Sequence, residues 1–320
     1  MSKIKKITIK DFKLKNEIEY SEIVISYQIF GKPIGSAPLV LVNHALTGNS
    51  QVIGRNGWWN ELVGENKTID TNKYAVLAFN IPGNAFQDDK NIIVNYNDFI
   101  TYDIAELFWK AIDFFKVNKI FAVIGGSLGG AIAWEMAAIR PTAIKHLIPI
   151  ATSWKSSDWL IANVLIQDLI LNNSKNPIQD ARIHAMLLYR TPESLKEKFN
   201  TTYQSEDLFQ VESWLLYHGE KLKDRFQLSA YKLMNHLLKT TNVLREKSVE
   251  KLAKEITSTI HLVAIDADCF FTASEIRMCF SALKKYKKNV LYNQIQSVHG
   301  HDAFLIEYRQ LNKILKPIFK

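Results

Sequence analysis

Cysteine is scarce in this 320-residue sequence, and long hydrophobic runs are absent. The two cysteines, Cys269 and Cys279, form no C-x-x-C pair and join no cysteine–histidine cluster, which favours idle thiols and no metal site. No run of about 18 apolar residues occurs, so the sequence predicts no transmembrane helix. Residues 1–6 lack the apolar segment of a signal peptide. We therefore expect a cytoplasmic protein with no membrane partner.

Clustered charge is also lacking. The formal net charge is +8 and the isoelectric point is about 9.2, but the lysines are scattered along the chain. No basic run alternates with aromatic residues that could stack on bases, so we expect no nucleic-acid partner. The positive charge is compatible with a phosphate-bearing small molecule, although it does not require one.

Short apolar runs alternate with helical stretches through the first half of the chain. Residues 4–14 and 18–30 alternate apolar and polar positions, which predicts an antiparallel hairpin. Strand-like runs follow at 38–43, 74–80, 120–124 and 146–151, with helical spacing at 98–117 and 128–138. This alternation predicts an α/β fold with a mostly parallel central sheet covered by helices on both faces.

The pattern changes after residue 154. Residues 155–257 contain long helical runs and no clear strand, and strand-like runs return only afterwards. We interpret residues 1–154 and 258–320 as an α/β core and residues 155–257 as an inserted helical cap over the catalytic edge. The alternative is a set of extra helices packed away from the site. A cap would exclude water from the chemistry beneath it.

Residues 125–129 read Gly-Gly-Ser-Leu-Gly, a G-x-S-x-G pattern that directly follows a strand-like run. In such a pattern the serine lies in a sharp turn between a strand and a helix, with its hydroxyl at the edge of the sheet. Glycine is needed beside it because larger side chains would collide with the adjacent strand or helix. Ser127 is therefore the candidate nucleophile.

Carboxylates and histidines follow two later strand-like runs. Asp266 and Asp268 follow the first run, and His299 and His301 follow the second. The chain order serine, aspartate, histidine is that of α/β-hydrolase triads, in which the histidine activates the serine and the carboxylate orients the histidine. Residues two apart point to the same side near a strand end, so spacing does not decide between the two aspartates or the two histidines.

An oxyanion hole requires two backbone N–H groups near the nucleophile. One donor should be the residue after the serine, Leu128, and the other should come from the loop after an earlier strand. Residues 44–48, His-Ala-Leu-Thr-Gly, fit that loop, with Leu46 as the second donor. The alternative interpretation of residues 44–48 is a tight turn that needs only Gly48.

Five parts of the sequence together resemble the homoserine O-acetyltransferase family, a branch of the α/β hydrolases. They are 44–48, 125–130 (Gly-Gly-Ser-Leu-Gly-Gly), 181–190 (a cap helix ending in Tyr-Arg), 211–231, and the pair 268–271 (Asp-Cys-Phe-Phe) with 300–305 (Gly-His-Asp-Ala-Phe-Leu). The resemblance covers about residues 20–310. It implies an α/β-hydrolase fold with a helical cap, and it places the catalytic acid at Asp268 and the base at His301.

The resemblance also implies substrate roles. Arg182 matches the cap arginine that holds the carboxylate of the amino acid, and Tyr189 matches a tyrosine of the same pocket. Asp302 matches an acid that contacts the amino group of homoserine. These roles are chemically reasonable because a guanidinium grips a carboxylate and a carboxylate complements an ammonium.

The activity implied is transfer of an acetyl group from acetyl-CoA to L-homoserine through an acyl-serine, with no bound cofactor and with a homodimer formed through the cap helices. A succinyl donor, a serine acceptor, an esterase or thioesterase reaction with water, and a non-catalytic binding protein are the alternatives. The sequence departs from the family in a shorter loop at residues 81–89, and it has Tyr102-Asp103 where the family usually has Arg-Asp.

Overall fold

The structure, a computed structural model, describes residues 2–87, 92–245 and 247–320. Its strands are β1 (Lys5–Lys13), β2 (Glu19–Gly31), β3 (Leu39–Asn43), β4 (Val63–Gly64), β5 (Ile69–Asp70), β6 (Ala75–Phe79), β7 (Ile120–Gly126), β8 (Ile144–Ile150), β9 (Tyr203–Ser205), β10 (Leu208–Phe209), β11 (Thr259–Ile265) and β12 (Val290–Ile295). Eight of these strands form one sheet in the order β1-β2-β6-β3-β7-β8-β11-β12.

The two ends of the sheet differ in strand direction. β1 pairs with β2 as an antiparallel hairpin, and β2 pairs antiparallel with β6, whereas all pairs from β6 to β12 are parallel. The central strands β3 and β6 are buried at every residue because helices or other segments cover both faces. The α/β-hydrolase arrangement expected from the sequence is confirmed.

The helices are α1 (Thr101–Phe114), α2 (Leu128–Ile139), α3 (Asp158–Asn173), α4 (Pro177–Tyr189), α5 (Pro192–Phe199), α6 (Gln210–Lys223), α7 (Leu228–Thr240), α8 (Val249–Glu255), α9 (Ala273–Lys284) and α10 (Tyr308–Leu315). One core lies between the sheet and α1, α2 and α9, and it continues into the cap helices. A second core on the opposite face contains Trp59 and the apolar side of α10. Within the described residues, no helix combines the length and the apolar character needed to cross a bilayer.

The chain between β8 and β11 is mainly helical and contains α3 to α8. The expectation that this stretch contains no strand was wrong, because β9 and β10 form a short antiparallel pair with stacked Tyr203 and Phe209 rings. These strands are only two or three residues long, too short to show a periodic pattern. Helices α5 and α8 are also short, with eight and seven residues. The limits of the cap, 155–257, remain a prediction.

Candidate active site

Ser127 occupies a strained turn between β7 and α2. Its backbone angles are φ 53° and ψ −126°, and its N–H donates to the Ile150 carbonyl of the neighbouring strand at 2.9 Å. The turn is packed too tightly for side chains nearby, because a Cβ added at Gly129 would lie 2.3 Å from the Asn43 carbonyl oxygen. Strain of this kind persists only where the surrounding structure enforces it, which is common at functional sites. The strand–turn–helix context expected for the G-x-S-x-G pattern is therefore present.

Asp268 and His301 meet beyond the ends of β11 and β12. His301 Nδ1 lies 2.8 Å from Asp268 Oδ2, and both side chains are almost fully buried. The other carboxylate oxygen, Oδ1, accepts the backbone N–H groups of Phe270 and Phe271 at 2.7 and 2.9 Å. These three contacts fix the orientation of the Asp268 carboxylate. With Nδ1 facing Asp268, His301 keeps Nε2 available for a second partner.

Asp266 and His299, the two alternatives that the spacing left open, have other contacts. Asp266 Oδ1 accepts the backbone N–H of Ser297 at 2.9 Å, so Asp266 caps a turn. His299 Nδ1 lies 3.3 Å from Arg190 Nη1 and 3.2 Å from Ser194 Oγ. Because a guanidinium only donates, His299 Nδ1 acts as the acceptor there. The structure therefore pairs Asp268 with His301 and gives Asp266 and His299 other contacts.

Packing brings Ser127 and His301 to the same edge of the sheet. Phe304 connects them: its ring fills the space beside Gly126, where an added Cβ would come within 2.5 Å of it. The Phe304 ring centroid is 5.7 Å from that of His301. Among the described residues, Ser127 and His301 form no hydrogen bond with each other. Catalytic hydrogen bonds are often long without substrate and tighten when it binds.

Aromatic rings enclose the imidazole of His301. Four rings have centroids within 6 Å of it: Tyr189 at 5.4 Å, Phe270 at 5.2 Å, Phe271 at 5.7 Å and Phe304 at 5.7 Å. Three of these come from the core and Tyr189 comes from the cap helix α4. Apolar walls of this kind exclude water and strengthen electrostatic interactions inside the site.

The two backbone amides expected to form the oxyanion hole are free. Within the described part of the chain, neither the Leu46 nor the Leu128 N–H donates a hydrogen bond, although both residues are buried. Buried amides without partners are rare in proteins and are suited to binding an anion. His44 holds the Leu46 loop, because its Nε2 accepts the Ile81 N–H at 3.0 Å. Burial lowers the pKa of His44 to about 4, so the ring stays neutral and can accept.

The cap supplies the residues expected to bind substrate. The Arg182 guanidinium lies 5.6 Å from the Tyr189 ring, and within the described residues it has no carboxylate partner. Burial raises the pKa of Tyr189 to about 12, and its hydroxyl interacts electrostatically with both Arg182 and Asp302. Arg182 and Asp302 therefore both lie near this tyrosine, with opposite charges. Asp302 also pairs with Arg190, a contact that sequence reasoning missed.

A further positive group borders the oxyanion loop. Arg225, which follows α6, donates from Nη1 to the Thr47 carbonyl oxygen at 3.0 Å. The cap therefore contacts the loop that carries Leu46. In the described ranges, no group of three or more histidine, cysteine, aspartate or glutamate side chains is placed to hold a metal ion.

The structure describes the loop at residues 81–89 in part and the pair Tyr102-Asp103 completely. In the short loop 81–89, the Ile81 N–H donates to His44, and Asp88 and Asp89 lie outside the described residues. Tyr102 and Asp103 fall in the first turn of α1. Asp103 accepts the Ile100 N–H at 2.9 Å and so stabilises the start of that helix.

Comparison with known proteins bears on the fold and the family of this chain. A family model described as alpha/beta hydrolase fold matches residues 38–223. The chain is 30% identical to a homoserine O-acetyltransferase of Methanococcus vannielii over 97% of its own length and 72% of the relative's length.

Two solved structures are similar over the whole chain. A homoserine O-acetyltransferase from Bacillus anthracis has a TM-score of 0.89 at 16% identity and covers 100% of this chain and 98% of its own. A mutant of esterase E22 has a TM-score of 0.89 at 13% identity, with both chains fully covered. At such low identity these two similarities show the fold alone.

Proposed function

The chain belongs to the homoserine O-acetyltransferase family of α/β-hydrolase enzymes, and from that premise we propose that it transfers an acetyl group from acetyl-CoA to the hydroxyl of L-homoserine. The observation that carries the proposal is the Asp268–His301 pair at 2.8 Å beside the strained Ser127 turn. This arrangement suits acyl transfer through a serine ester, a reaction that belongs to methionine biosynthesis.

In the first half-reaction, Ser127 Oγ attacks the thioester carbonyl. His301 Nε2 takes the hydroxyl proton, and Asp268 stabilises the imidazolium that forms. The Leu46 and Leu128 N–H groups bind the negative oxygen of the tetrahedral intermediate. Each such donor is typically worth about 10²–10³ in turnover. The C–S bond then breaks, and His301 returns its proton to the departing thiol of coenzyme A.

In the second half-reaction, the hydroxyl of homoserine replaces coenzyme A. His301 removes its proton, the alkoxide attacks the acetyl-serine, and Ser127 leaves with the proton from His301. Arg182 holds the carboxylate of homoserine, Asp302 holds the ammonium, and Tyr189 lines the space between them. Water competes for the acyl-enzyme, but a well-oriented bound hydroxyl can reach effective molarities of about 10⁵ M or more.

A donor and acceptor panel tests the proposed function. Thiol release would be measured with acetyl-CoA or succinyl-CoA as donor and with L-homoserine, L-serine or water as acceptor. We expect acetyl-CoA with L-homoserine to be fastest, with parallel lines in double-reciprocal plots. If free acetate forms equally fast with and without homoserine, the enzyme is an esterase or thioesterase instead.

For its assembly and location we propose a homodimer in the cytoplasm, formed through the cap helices. One side of α3 exposes the large apolar side chains of Ile161, Leu165 and Leu169, which are four residues apart and 41–58% accessible. A contiguous exposed apolar surface is typical of an interface. Light scattering of the purified chain tests this, because a monomer at micromolar concentration would contradict it.

A further inference from the structure

Arg190 contacts the loop that carries His301. It directly follows Tyr189 at the C-terminal end of α4. Its Nε lies 3.3 Å from Asp302 Oδ2, and its Nη1 lies 3.3 Å from His299 Nδ1. The two contacted residues flank His301 on either side by sequence. Arg190 therefore connects the cap helix that bears Arg182 to the loop that bears the candidate base.

The contact between Arg190 and Asp302 is an ion pair without a hydrogen bond. Nε and Oδ2 are 3.3 Å apart, and among the described residues the Asp302 carboxylate accepts no hydrogen bond. Both side chains are mostly buried, with exposed fractions of 18% for Arg190 and 20% for Asp302. A partly buried carboxylate that has an ion pair but accepts no hydrogen bond keeps its lone pairs available for a second cation.

Further contacts hold the segment after α4 against the loop that precedes His301. Thr191 Oγ1 donates to the Val298 carbonyl, and Ser194 Oγ lies 3.2 Å from His299 Nδ1. Gly300 has φ +64°, and a Cβ there would come within 3.0 Å of the Tyr189 carbonyl oxygen. The segment after α4 and the loop before His301 are therefore packed together through backbone as well as side-chain contacts.

We propose that Arg190 is a positioning residue for recognition of the acceptor's ammonium group. Its ion pair keeps the Asp302 carboxylate in place, where it can bind the ammonium of a zwitterionic hydroxy-amino acid. The positive charge of Arg182 lies near Tyr189 and matches the acceptor's carboxylate. This inference rests on the proposed function and assigns to Arg190 the selection of an amino-acid acceptor over a plain hydroxy acid.

The test compares two acceptors that differ only in the amino group, L-homoserine and 4-hydroxybutanoate. For the wild type we expect kcat/KM to favour homoserine by about 100-fold, because a site built for a polar group rejects an analogue lacking it. In Arg190→Met the preference should fall about 10-fold or more, because Asp302 loses the partly buried ion pair that positions it. Arg190→Lys should recover part of the preference.

Two controls separate positioning from a general structural effect. Hydrolysis of p-nitrophenyl acetate has no acceptor to recognise, so Arg190→Met should keep it within about twofold of the wild type. Arg140→Met removes an exposed arginine that pairs with Asp113 and should leave the acceptor preference unchanged.

An unchanged preference in Arg190→Met, or an equal fall in both transfers and in ester hydrolysis, would overturn the inference. If Arg190→Met does not fold, Arg190→Lys provides the test. An unchanged preference for homoserine over 4-hydroxybutanoate in Arg190→Lys counts against positioning by the guanidinium. A wild type that acylates neither acceptor refutes the proposed function, and the role of Arg190 falls with it.

Discussion

The sheet core and the helical cap differ in how they hold their functional residues. In the core, the segments around Ser127, Asp268 and His301 are fixed by strand ends, tight glycine packing and backbone hydrogen bonds. In the cap, Arg182 and Arg190 extend from one helix, while α3 exposes apolar side chains to solvent. Under the proposed function, bond-breaking chemistry therefore lies in the core, whereas the acceptor is bound by Arg182 of the cap together with Asp302 of the core.

Among the residues that the structure describes, two ion pairs attach the cap region to the core. Arg190 pairs with Asp302 close to the site, and Arg245 pairs with Glu135 on α2, the helix that begins directly after Ser127. Both Arg245 contacts to the Glu135 carboxylate are short, at 2.7 and 2.8 Å, and Glu135 is completely buried. Variants in the two regions should therefore separate loss of chemistry, loss of stability and loss of acceptor selection.

The largest effect is expected for Ser127→Ala in the core. Without the nucleophile no acetyl-serine can form, so thiol release from acetyl-CoA should fall by about 10⁶-fold, to the background of the assay. Alanine is no bulkier than serine, so circular dichroism should show an unchanged fold. Retained turnover in this variant would refute Ser127 as the nucleophile.

Asp268→Asn should lower kcat by about 10⁴-fold while leaving the fold intact, because the amide no longer favours the correct tautomer of His301. Steady-state kinetics with acetyl-CoA and homoserine would measure the loss. The matched control is Asp266→Asn, which alters a turn with no contact to His301 and should keep turnover near wild type. Equal losses in the two variants would contradict the assignment of Asp268.

Arg245→Met should destabilise the junction between cap and core. It leaves the Glu135 carboxylate buried without its cation, which typically costs about 3–5 kcal/mol. Urea unfolding followed by fluorescence would measure the change. Arg140→Met, which breaks an exposed pair, should cost at most about 1 kcal/mol. A similar cost for the two variants would mean that the Glu135 contact does not fasten the cap.

The smallest effect on chemistry is expected for Arg182→Met in the cap. Loss of a charge-assisted contact to the acceptor carboxylate should raise KM for homoserine by about 10- to 100-fold. Hydrolysis of p-nitrophenyl acetate should stay near wild type, since that reaction does not use the acceptor pocket. If ester hydrolysis falls as much as transfer, the division between core chemistry and cap recognition is wrong.

The core could be predicted from the sequence because its signals are local. Buried strands such as β3 and β7 appear as short apolar runs, and the G-x-S-x-G turn has a steric requirement for glycine that sequence displays directly. The cap was harder to predict. Its long helices can be recognised from long stretches with helical spacing. The strands β9 and β10 are too short to show a periodic pattern, and their pairing is decided by tertiary contacts.

The candidate site was predictable only in part. Spacing could not separate Asp266 from Asp268, because both follow the same strand and only the loop conformation directs one toward His301. Family resemblance pointed to Arg182 and Asp302, but nothing in the sequence indicated that Arg190 contacts Asp302. Those residues are more than a hundred positions apart in the chain, and their contact arises from docking of α4 on the core.

The central claim is that Ser127 carries the acetyl group between donor and acceptor. Intact-protein mass spectrometry after rapid mixing with acetyl-CoA tests it most directly. The account predicts a gain of one acetyl group that maps to Ser127, disappears when L-homoserine is added, and yields O-acetylhomoserine. Formation of O-acetylhomoserine with no acetylated protein at any time, or from the Ser127→Ala variant, would contradict the account.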